Sequence, residues 1–391
     1  MTPMGVAIIG ASMRSTSFFS YLRDHPELGF VATAYDVIPG RCECLIEAFG
    51  TGETKVCNSL LEAIDDPRVD AVFVTTHDAA HAEPAVAALN AGKHVFCEKP
   101  LATSLEACDA IIEAAGNAPG IFYLGMNLRH GPVHEKLHEI RFSGRLGKLL
   151  TIETNEYYYG GRTYFRRWNR LREFGGGLWI TKTCHDFDLL NWISGGNAVR
   201  IFGLSSLSHY RSKPGAAAYC RICDLKTQCP DYYEVSDEKG TGAQAALWLT
   251  EQHTGQKRDV CLYNSDKDTF DNAMALVEFD NDVRATHTCN VVSARETRQM
   301  RLMGTEGAAE GDMDEGTVTV WKRHTKEKET FDLRERMTSG HGGADDSIMQ
   351  DFFHCCHTGA KPRSSWEDGR RSVAMGLAAR ESCDTGEVVT L

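Results

Sequence analysis

The first part of the chain, to about residue 125, alternates short apolar runs with helix-like stretches, and this alternation restricts the fold more than any other feature. Residues 5–10, 30–36, 69–75 and 121–126 are predicted strands, and residues 83–91 are a predicted helix. Strands that alternate with helices of this length indicate a parallel sheet wound by right-handed crossovers. The sequence therefore predicts a doubly wound α/β domain at the N-terminus.

The turn after the first predicted strand has the spacing of a phosphate-binding loop. Gly10 holds the first position of G-x-G-x-x-G, and Ser12 and Ser15 replace the second and third glycines. Asp36 ends the second strand, where a carboxylate would accept the ribose hydroxyls of adenosine. The turn alone fits any strand–turn–helix equally well, but its context favours a dinucleotide site. The predicted cofactor contacts here are Gly10, Ser12, Met13, Arg14 and Asp36.

Two further motifs carry a family resemblance. Residues 74–81, V-T-T-H-D-A-A-H, are similar to a T-P-N-x-x-H loop, with His77 where proline is usual and Asp78 where asparagine is usual. Residues 92–100, G-K-H-V-F-C-E-K-P, match a second motif closely. With the N-terminal turn, these segments resemble the Gfo/Idh/MocA family of nicotinamide-dependent sugar and polyol oxidoreductases.

The resemblance implies a Rossmann domain, residues 1–127, followed by an α/β domain, residues 128–391. It also implies that Lys99 contacts both the nicotinamide ribose and a substrate hydroxyl; the alternative is a solvated surface lysine. Ligands of open α/β sheets bind at the carboxyl ends of the strands. Further cofactor contacts are therefore expected there, at Thr75, His81, Glu98, Lys99 and Asn127.

The second domain has a different pattern. Residues 148–159, 298–304 and 316–322 are predicted strands, and residues 271–292 are a predicted hairpin. Helical patterns at 345–357 and 366–383 end the chain. This pattern predicts an α+β domain with an open, largely antiparallel sheet, whose second face is commonly used for oligomerisation. We therefore expect a homodimer or homotetramer.

Residues 178–194 are predicted to form one helix that carries the chemistry. On it, Lys182, His185 and Asp186 share one face. Many family members have Asp where this chain has Thr181, and the pattern resembles a K-x-x-H-D-x-D branch. Histidine is suited to accept a proton at neutral pH, and a lysine ammonium to orient and polarise a hydroxyl. The alternative is a core histidine satisfied by Asp188.

The loop at residues 160–174 is rich in Arg and aromatic residues, which suit sugars, uronates or polyols. Together with Asp186, its candidate substrate contacts are Arg162, Tyr164, Arg167 and Trp168.

A separate feature is an insertion at residues 208–236 that contains a cysteine cluster. Cys220, Cys223, Cys229 and the later Cys261 could hold zinc, and unligated thiols are as compatible with the irregular spacing.

Composition excludes several other functions. A formal net charge of −12 argues against nucleic-acid or anionic-membrane partners. No stretch approaches the ~20 apolar residues of a membrane span, and residues 5–10 indicate a strand rather than a signal segment. We therefore expect a cytoplasmic protein whose 14 cysteines are reduced.

The predicted function is that of an NAD-dependent dehydrogenase, with NADP possible, which acts on a secondary hydroxyl of a carbohydrate or cyclitol. Two alternatives stay open. Some relatives act as glycosidases or lyases by transient oxidation and elimination, without net NADH. A non-catalytic ligand sensor is the other, although an intact Lys99 and His185 argue against it.

Overall fold

The computed structural model describes residues 2–50 and 53–391. Its N-terminal sheet has six strands in the order β3-β2-β1-β4-β5-β6. Every pair in it is parallel, as the strand–helix alternation predicts. The strands are β1 Met4–Ile9, β2 Gly29–Tyr35, β3 Lys55–Val56, β4 Ala71–Val74, β5 His94–Cys97 and β6 Phe122–Leu124.

Both faces of this sheet are covered, which accounts for its almost wholly apolar strands. The connecting helices are α1 Ser15–Asp24, α2 Arg41–Phe49, α3 Leu60–Ile64, α4 Ala82–Asn90 and α5 Leu105–Asn117. One face packs against α3, α4 and α5, and the other against α1 and α2. The predicted Rossmann-type sheet is confirmed, and the short strand β3 is an element that sequence reasoning missed.

The second sheet has nine strands in the order β14-β13-β12-β11-β7-β10-β9-β8-β15. Strands β7 and β10 are parallel, and the other neighbours are antiparallel. The bounds are β7 Leu149–Tyr157, β8 Ala198–Ser206, β9 Asn272–Phe279, β10 Arg284–Asn290, β11 Thr297–Gly304, β12 Gly307–Asp312, β13 Thr317–Lys322, β14 Lys328–Asp332 and β15 Val389–Thr390. The open, largely antiparallel sheet of an α+β domain is thus confirmed.

The helices of this part lie on one face of the sheet or return to the first sheet. They are α6 Pro132–Phe142, α7 Gly161–Tyr164, α8 Arg172–Gly175, α9 Leu178–Thr181, α10 Cys184–Ser194, α11 Gly242–Thr254, α12 Gly340–Thr358 and α13 Trp366–Thr385. Helix α12 buries Ile348, Phe352 and Phe353 in the same core as Phe73 and Phe96 of the first sheet. The C-terminal part of the chain therefore contributes to the N-terminal core, and the division at residues 127 and 128 stays a prediction.

One predicted element is wrong in detail. The single helix expected over residues 178–194 is two helices, α9 and α10, because Lys182 and Thr183 interrupt it. Lys182 therefore lies at the break rather than on a continuous helix face with His185. In the described chain, residues 2–50 and 53–391, no helix is both long and apolar enough to cross a bilayer.

Candidate active site

The predicted phosphate-binding turn joins β1 to α1 and is tied to the end of β2. Gly10 has a φ of +97°, and a Cβ there would lie 2.8 Å from the amide nitrogen of Thr76. The carboxylate of Asp36 accepts hydrogen bonds from the amides of Ala11 (2.7 Å) and Ile38 (2.8 Å). Its oxygen also lies 3.1 Å from a nitrogen of Arg41. Asp36 is therefore fixed beside the turn at the end of β2, and its contact with an adenosine ribose stays a prediction.

Arg14 links this turn to two other elements. Its Nε donates to Glu98 at 2.6 Å, and its terminal nitrogens donate to Asp345 of α12 at 3.1 and 3.2 Å. Asp345 also accepts a hydrogen bond from the side chain of Asn127 at 2.8 Å. Four side chains from four chain segments thus form one connected group at the carboxyl edge of the sheet, whereas Met13 is exposed.

Thr75 and His81 are buried and bonded to backbone. The Thr75 hydroxyl donates to the carbonyl of Gly10 at 2.6 Å. His81 Nδ1 lies 2.7 Å from the carbonyl oxygen of Pro100, and burial lowers the pKa of His81 to about 4. The neutral imidazole therefore braces the segment that presents Lys99.

Lys99 follows β5, and its side chain is directed at the end of α9. Its Nζ donates to the carbonyl oxygen of Thr181 at 2.8 Å. Burial opposes the charged form, but the acidic groups around it, with Cys184 the strongest and Asp78 among them, hold the pKa of Lys99 above its ordinary value. Lys99 is therefore a half-buried ammonium ion with a fixed hydrogen bond, not a solvated surface lysine.

His185 lies in the first turn of α10 and is 5% exposed. Burial, followed by the charges of Lys99 and Arg298, holds the pKa of His185 well below its usual range. Its Nδ1 is buried and has no hydrogen-bond partner in the part of the chain that the structure describes. Asp188 instead binds Arg129 at 2.7 and 2.8 Å. The alternative of a core histidine satisfied by Asp188 is therefore wrong.

Lys182 and Asp186 belong to a buried network of charges. Lys182 Nζ lies 2.6 Å from Glu156, and Arg298 lies 2.7 Å from Glu156 and 3.0 Å from Asp186. Despite burial, Arg298 and Lys182 keep the pKa of Glu156 below its usual range. Asp186 is 1% exposed and accepts hydrogen bonds from Nε and one terminal nitrogen of Arg298. These contacts favour a positioning role for Asp186. Substrate binding by Asp186 stays a prediction.

The Arg- and aromatic-rich loop reaches the site through two of its four candidates. The ring of Tyr164 lies 6.0 Å from Lys182 Nζ, and the ring of Trp168 lies 5.9 Å from that of His77 in the 74–81 loop. Arg162 binds the carbonyl of Pro230 and is about half exposed. Arg167 is exposed. Substrate roles for Arg162 and Arg167 therefore stay predictions that rest only on their position in this loop.

Sequence reasoning missed several residues of the site. Burial raises the pKa of Asp78 to about 7, although nearby Lys99 lowers it in part, and its Oδ2 has no partner among the described residues. His341 lies in the segment G-H-G-G, with its ring centroid 6.4 Å from that of His185. A histidine among glycines was the available signal. Glu156, Arg298 and Asp345 carry no such local signal, since they are brought in from distant strands and α12.

The four predicted zinc ligands line one small cavity of about 20 Å³, together with Arg166 and Tyr263. Within residues 2–50 and 53–391, however, no three His, Cys, Asp or Glu side chains are arranged to hold a metal ion. All fourteen cysteines are free thiols. The zinc site therefore stays a prediction from the spacing, and no role in the chemistry is derived for it.

Comparison with known proteins places this geometry in a family. Residues 4–126 match the model of the Gfo/Idh/MocA oxidoreductase family described as an NAD-binding Rossmann fold, and residues 142–391 match its C-terminal alpha/beta domain. The chain belongs to the Gfo/Idh/MocA family of oxidoreductases, which confirms the resemblance.

Three relatives illustrate the breadth of that family. YteT of Bacillus subtilis, whose name assigns it only provisionally to the oxidoreductases, is 26% identical over 78% of each chain. Myo-inositol 2-dehydrogenase of Thermotoga maritima is 35% identical over 37% of this chain and 42% of its own length. A levoglucosan dehydrogenase solved with NADH and levoglucosan is 17% identical, with a TM-score of 0.77 over 99% of each chain. The last likeness concerns the fold.

The site also fits the nicotinamide dinucleotide that the family model implies. Buried polar atoms of Asp78, Asn127 and His185 have no hydrogen-bond partner in the described ranges, although such atoms are normally paired. They lie where the strands of the first sheet end and α10 begins, which is where ligands of this fold bind. Gly10, Arg14, Asp36 and Asn127 lie at this edge and would hold the dinucleotide, and their contacts with it stay predictions.

Proposed function

We propose that the protein is an NAD-dependent dehydrogenase that oxidises a secondary hydroxyl of a carbohydrate or cyclitol. The observation that carries the proposal is that the ammonium of Lys99 acts electrostatically on the neutral imidazole of His185, whose Nδ1 has no hydrogen-bond partner among the described residues. A cation and a neutral base in one site can hold a hydroxyl oxygen and accept its proton. The names of the inositol and levoglucosan relatives support a cyclic polyol or sugar as the substrate.

In this proposal each residue has one task. Bound nicotinamide dinucleotide supplies the hydride acceptor. Lys99 holds the reacting oxygen and stabilises the negative charge that develops on it, while His185 accepts the proton. Lys182, fixed by Glu156, supplies a second positive charge beside Tyr164. Tyr164 and Trp168 form the aromatic wall of the substrate site, and Asp36 selects NAD over NADP.

Two variants test these roles. We expect His185→Ala to reduce turnover by about 10²- to 10⁴-fold, the usual contribution of a general base, with NAD binding nearly unchanged. Lys99→Ala should impair both turnover and substrate binding. Because protonated His185 cannot accept a proton, wild-type oxidation should rise with pH through an apparent pKa below 6.5, and this limb should be absent in His185→Ala. Near-wild-type turnover of that variant would contradict the assignment.

A panel of polyols, sugars and glycosides identifies the reaction. NADH absorbance and release of aglycone should be followed in parallel, with myo-inositol and levoglucosan included. Formation of NADH supports the dehydrogenase. Released aglycone without net NADH would instead support a glycosidase or lyase that oxidises its substrate transiently. Binding without turnover would support the ligand sensor.

A further inference from the structure

The start of α12 has an unusual backbone. His341 has a φ of +51° and is followed by Gly342 and Gly343, which also have positive φ, so regular helix begins only at Ala344. In the described chain the other non-glycine residues with positive φ are Asp282 and Lys326, both in turns between strands. A left-handed conformation is unfavourable for an L-residue and persists where other contacts impose it, often at functional sites.

Asp345 fixes the orientation of the His341 ring. Nδ1 of His341 lies 3.0 and 3.1 Å from the two carboxylate oxygens of Asp345, which also accept hydrogen bonds from Arg14 and Asn127. Despite burial, His341 and Arg14 hold the pKa of Asp345 well below its usual range. Since an ionised carboxylate only accepts, Nδ1 of neutral His341 carries the proton and Nε2 keeps its lone pair.

His341 is a neighbour of His185 that is much more exposed to solvent. The two ring centroids are 6.4 Å apart, and the planes are inclined by 44°. The side chain of His341 is 45% exposed, whereas His185 is 5% exposed. This spacing is too wide for a direct hydrogen bond between the rings, so a proton that passes between them requires one bridging water molecule or substrate hydroxyl.

We propose that His341, positioned by Asp345, relays the proton released at His185 to solvent. The proposal rests on the proposed function and adds the exit route of the proton. The substrate O–H bond breaks and its proton moves to His185. A bridging water or hydroxyl receives that proton and passes one on to Nε2 of His341, which releases it to bulk water or buffer. Both imidazoles are then neutral again, and the hydride leaves separately with its electron pair.

The charges around His185 explain why such a relay is needed. Burial most strongly disfavours a positive charge on the His185 imidazole, and the charges of Lys99, Arg298, His341 and Lys182 disfavour it further. The anions nearest to these cations are already engaged, Glu156 with Lys182 and Asp186 with Arg298. His185 therefore accepts a proton only if it can pass it on quickly, and His341 with its Asp345 is the adjacent base that reaches solvent.

Chemical rescue tests the relay. His341→Asn removes the imidazole, and asparagine tolerates a left-handed backbone. We expect its turnover with myo-inositol, or with the panel compound that yields NADH, to fall about tenfold or more in dilute buffer and to recover as imidazole is added. NAD binding, followed by protein fluorescence, should be unchanged. The matched control is His354→Asn, an exposed histidine of the same helix, whose turnover should equal that of the wild type at every imidazole concentration.

A purely structural role would reduce turnover without rescue by imidazole, so that result, or an unchanged rate, would overturn the proposal. A second measurement needs no substrate. In ¹⁵N-histidine-labelled protein, neutral His341 should show a protonated Nδ1 and an unprotonated Nε2, and the opposite tautomer would overturn the relay. If no panel compound gives NADH, the proposed function fails, while the tautomer still decides the role of His341.

Discussion

The carboxylate of Asp36 and the guanidinium of Arg41 have opposite preferences for the adenosine end of the cofactor. The carboxylate accepts ribose hydroxyls and repels a 2′-phosphate, whereas the arginine, 3.1 Å away, could bind that phosphate once the carboxylate charge is removed. Asp36→Asn should therefore raise the ratio of the dissociation constant of NAD to that of NADP at least tenfold, which corresponds to about 1.4 kcal/mol. The additional substitution Arg41→Met should return this ratio to its wild-type value. A wild type that binds NADP tenfold more tightly than NAD would contradict the role of Asp36.

Asp78 gives a prediction that depends on pH. Its pKa is raised from about 3.8 to about 7 in the folded protein, so the native state binds one proton more than the unfolded state between those values. The contribution of Asp78 to the free energy of unfolding is therefore largest at low pH, and it is lost as the pH rises from about 4 to about 7. Relative to wild type, Asp78→Asn should become progressively more stable between pH about 4 and about 7, with a constant difference above.

Urea unfolding of both proteins across this range measures the effect of Asp78. The control is Asp65→Asn, which removes an exposed carboxylate and should show a much smaller pH-dependent difference. A difference between Asp78→Asn and wild type that does not change with pH would show that the carboxyl is not held neutral by burial.

At the scale of single elements, the turn between β1 and α1 depends on one glycine. A Cβ at Gly10 would lie 2.8–3.0 Å from backbone atoms of Thr75 and Thr76, which cannot rotate away as a side chain can. Gly10→Ala should therefore destabilise the protein by about 2–4 kcal/mol in denaturant unfolding. Gly144 also has a positive φ, but a Cβ there would have no described atom within 4 Å, so Gly144→Ala should cost only about 1–2 kcal/mol. Equal losses would contradict the steric argument.

The same scale shows what local sequence can predict. Apolar runs and glycine spacing predicted β1, β2 and the phosphate-binding turn because their burial and geometry are local properties. Helical periodicity predicted one helix over residues 178–194 but not its interruption at Lys182. The carbonyl of Thr181, at the end of α9, accepts a hydrogen bond from Lys99, 82 positions earlier in the chain. Such a tertiary contact leaves no mark in the periodicity of the segment itself.

At the scale of the whole molecule, the sequence predicts the two sheets but not which of them each C-terminal helix packs against. The order of strands and helices indicated a parallel sheet followed by an antiparallel one, and both formed. Amphipathic spacing also predicted a helix near α12, but it does not specify which core a helix joins. Because α12 returns to the first sheet, His341 and Asp345 enter a site whose other residues lie far earlier in the chain. Arg14 precedes Asp345 by 331 positions and Asn127 precedes it by 218. No local pattern could have assembled that group.

The exposed face of the nine-stranded sheet gives the last prediction. Leu204, Met274 and Leu276 are each more than half exposed, and Leu204 and Met274 are direct neighbours on paired strands β8 and β9. A contiguous apolar patch on one sheet face is typical of a protein–protein interface, and a symmetric homodimer is the commonest way to cover it. We therefore expect the protein to form a homodimer or homotetramer through this face.

Met274→Lys with Leu276→Lys should shift the mass measured by light scattering towards the 43.3 kDa monomer. Leu61→Lys, at an equally exposed leucine of α3, should leave the assembly intact. A wild type that is monomeric at every concentration, or a double variant that still assembles, would place the interface elsewhere or exclude it.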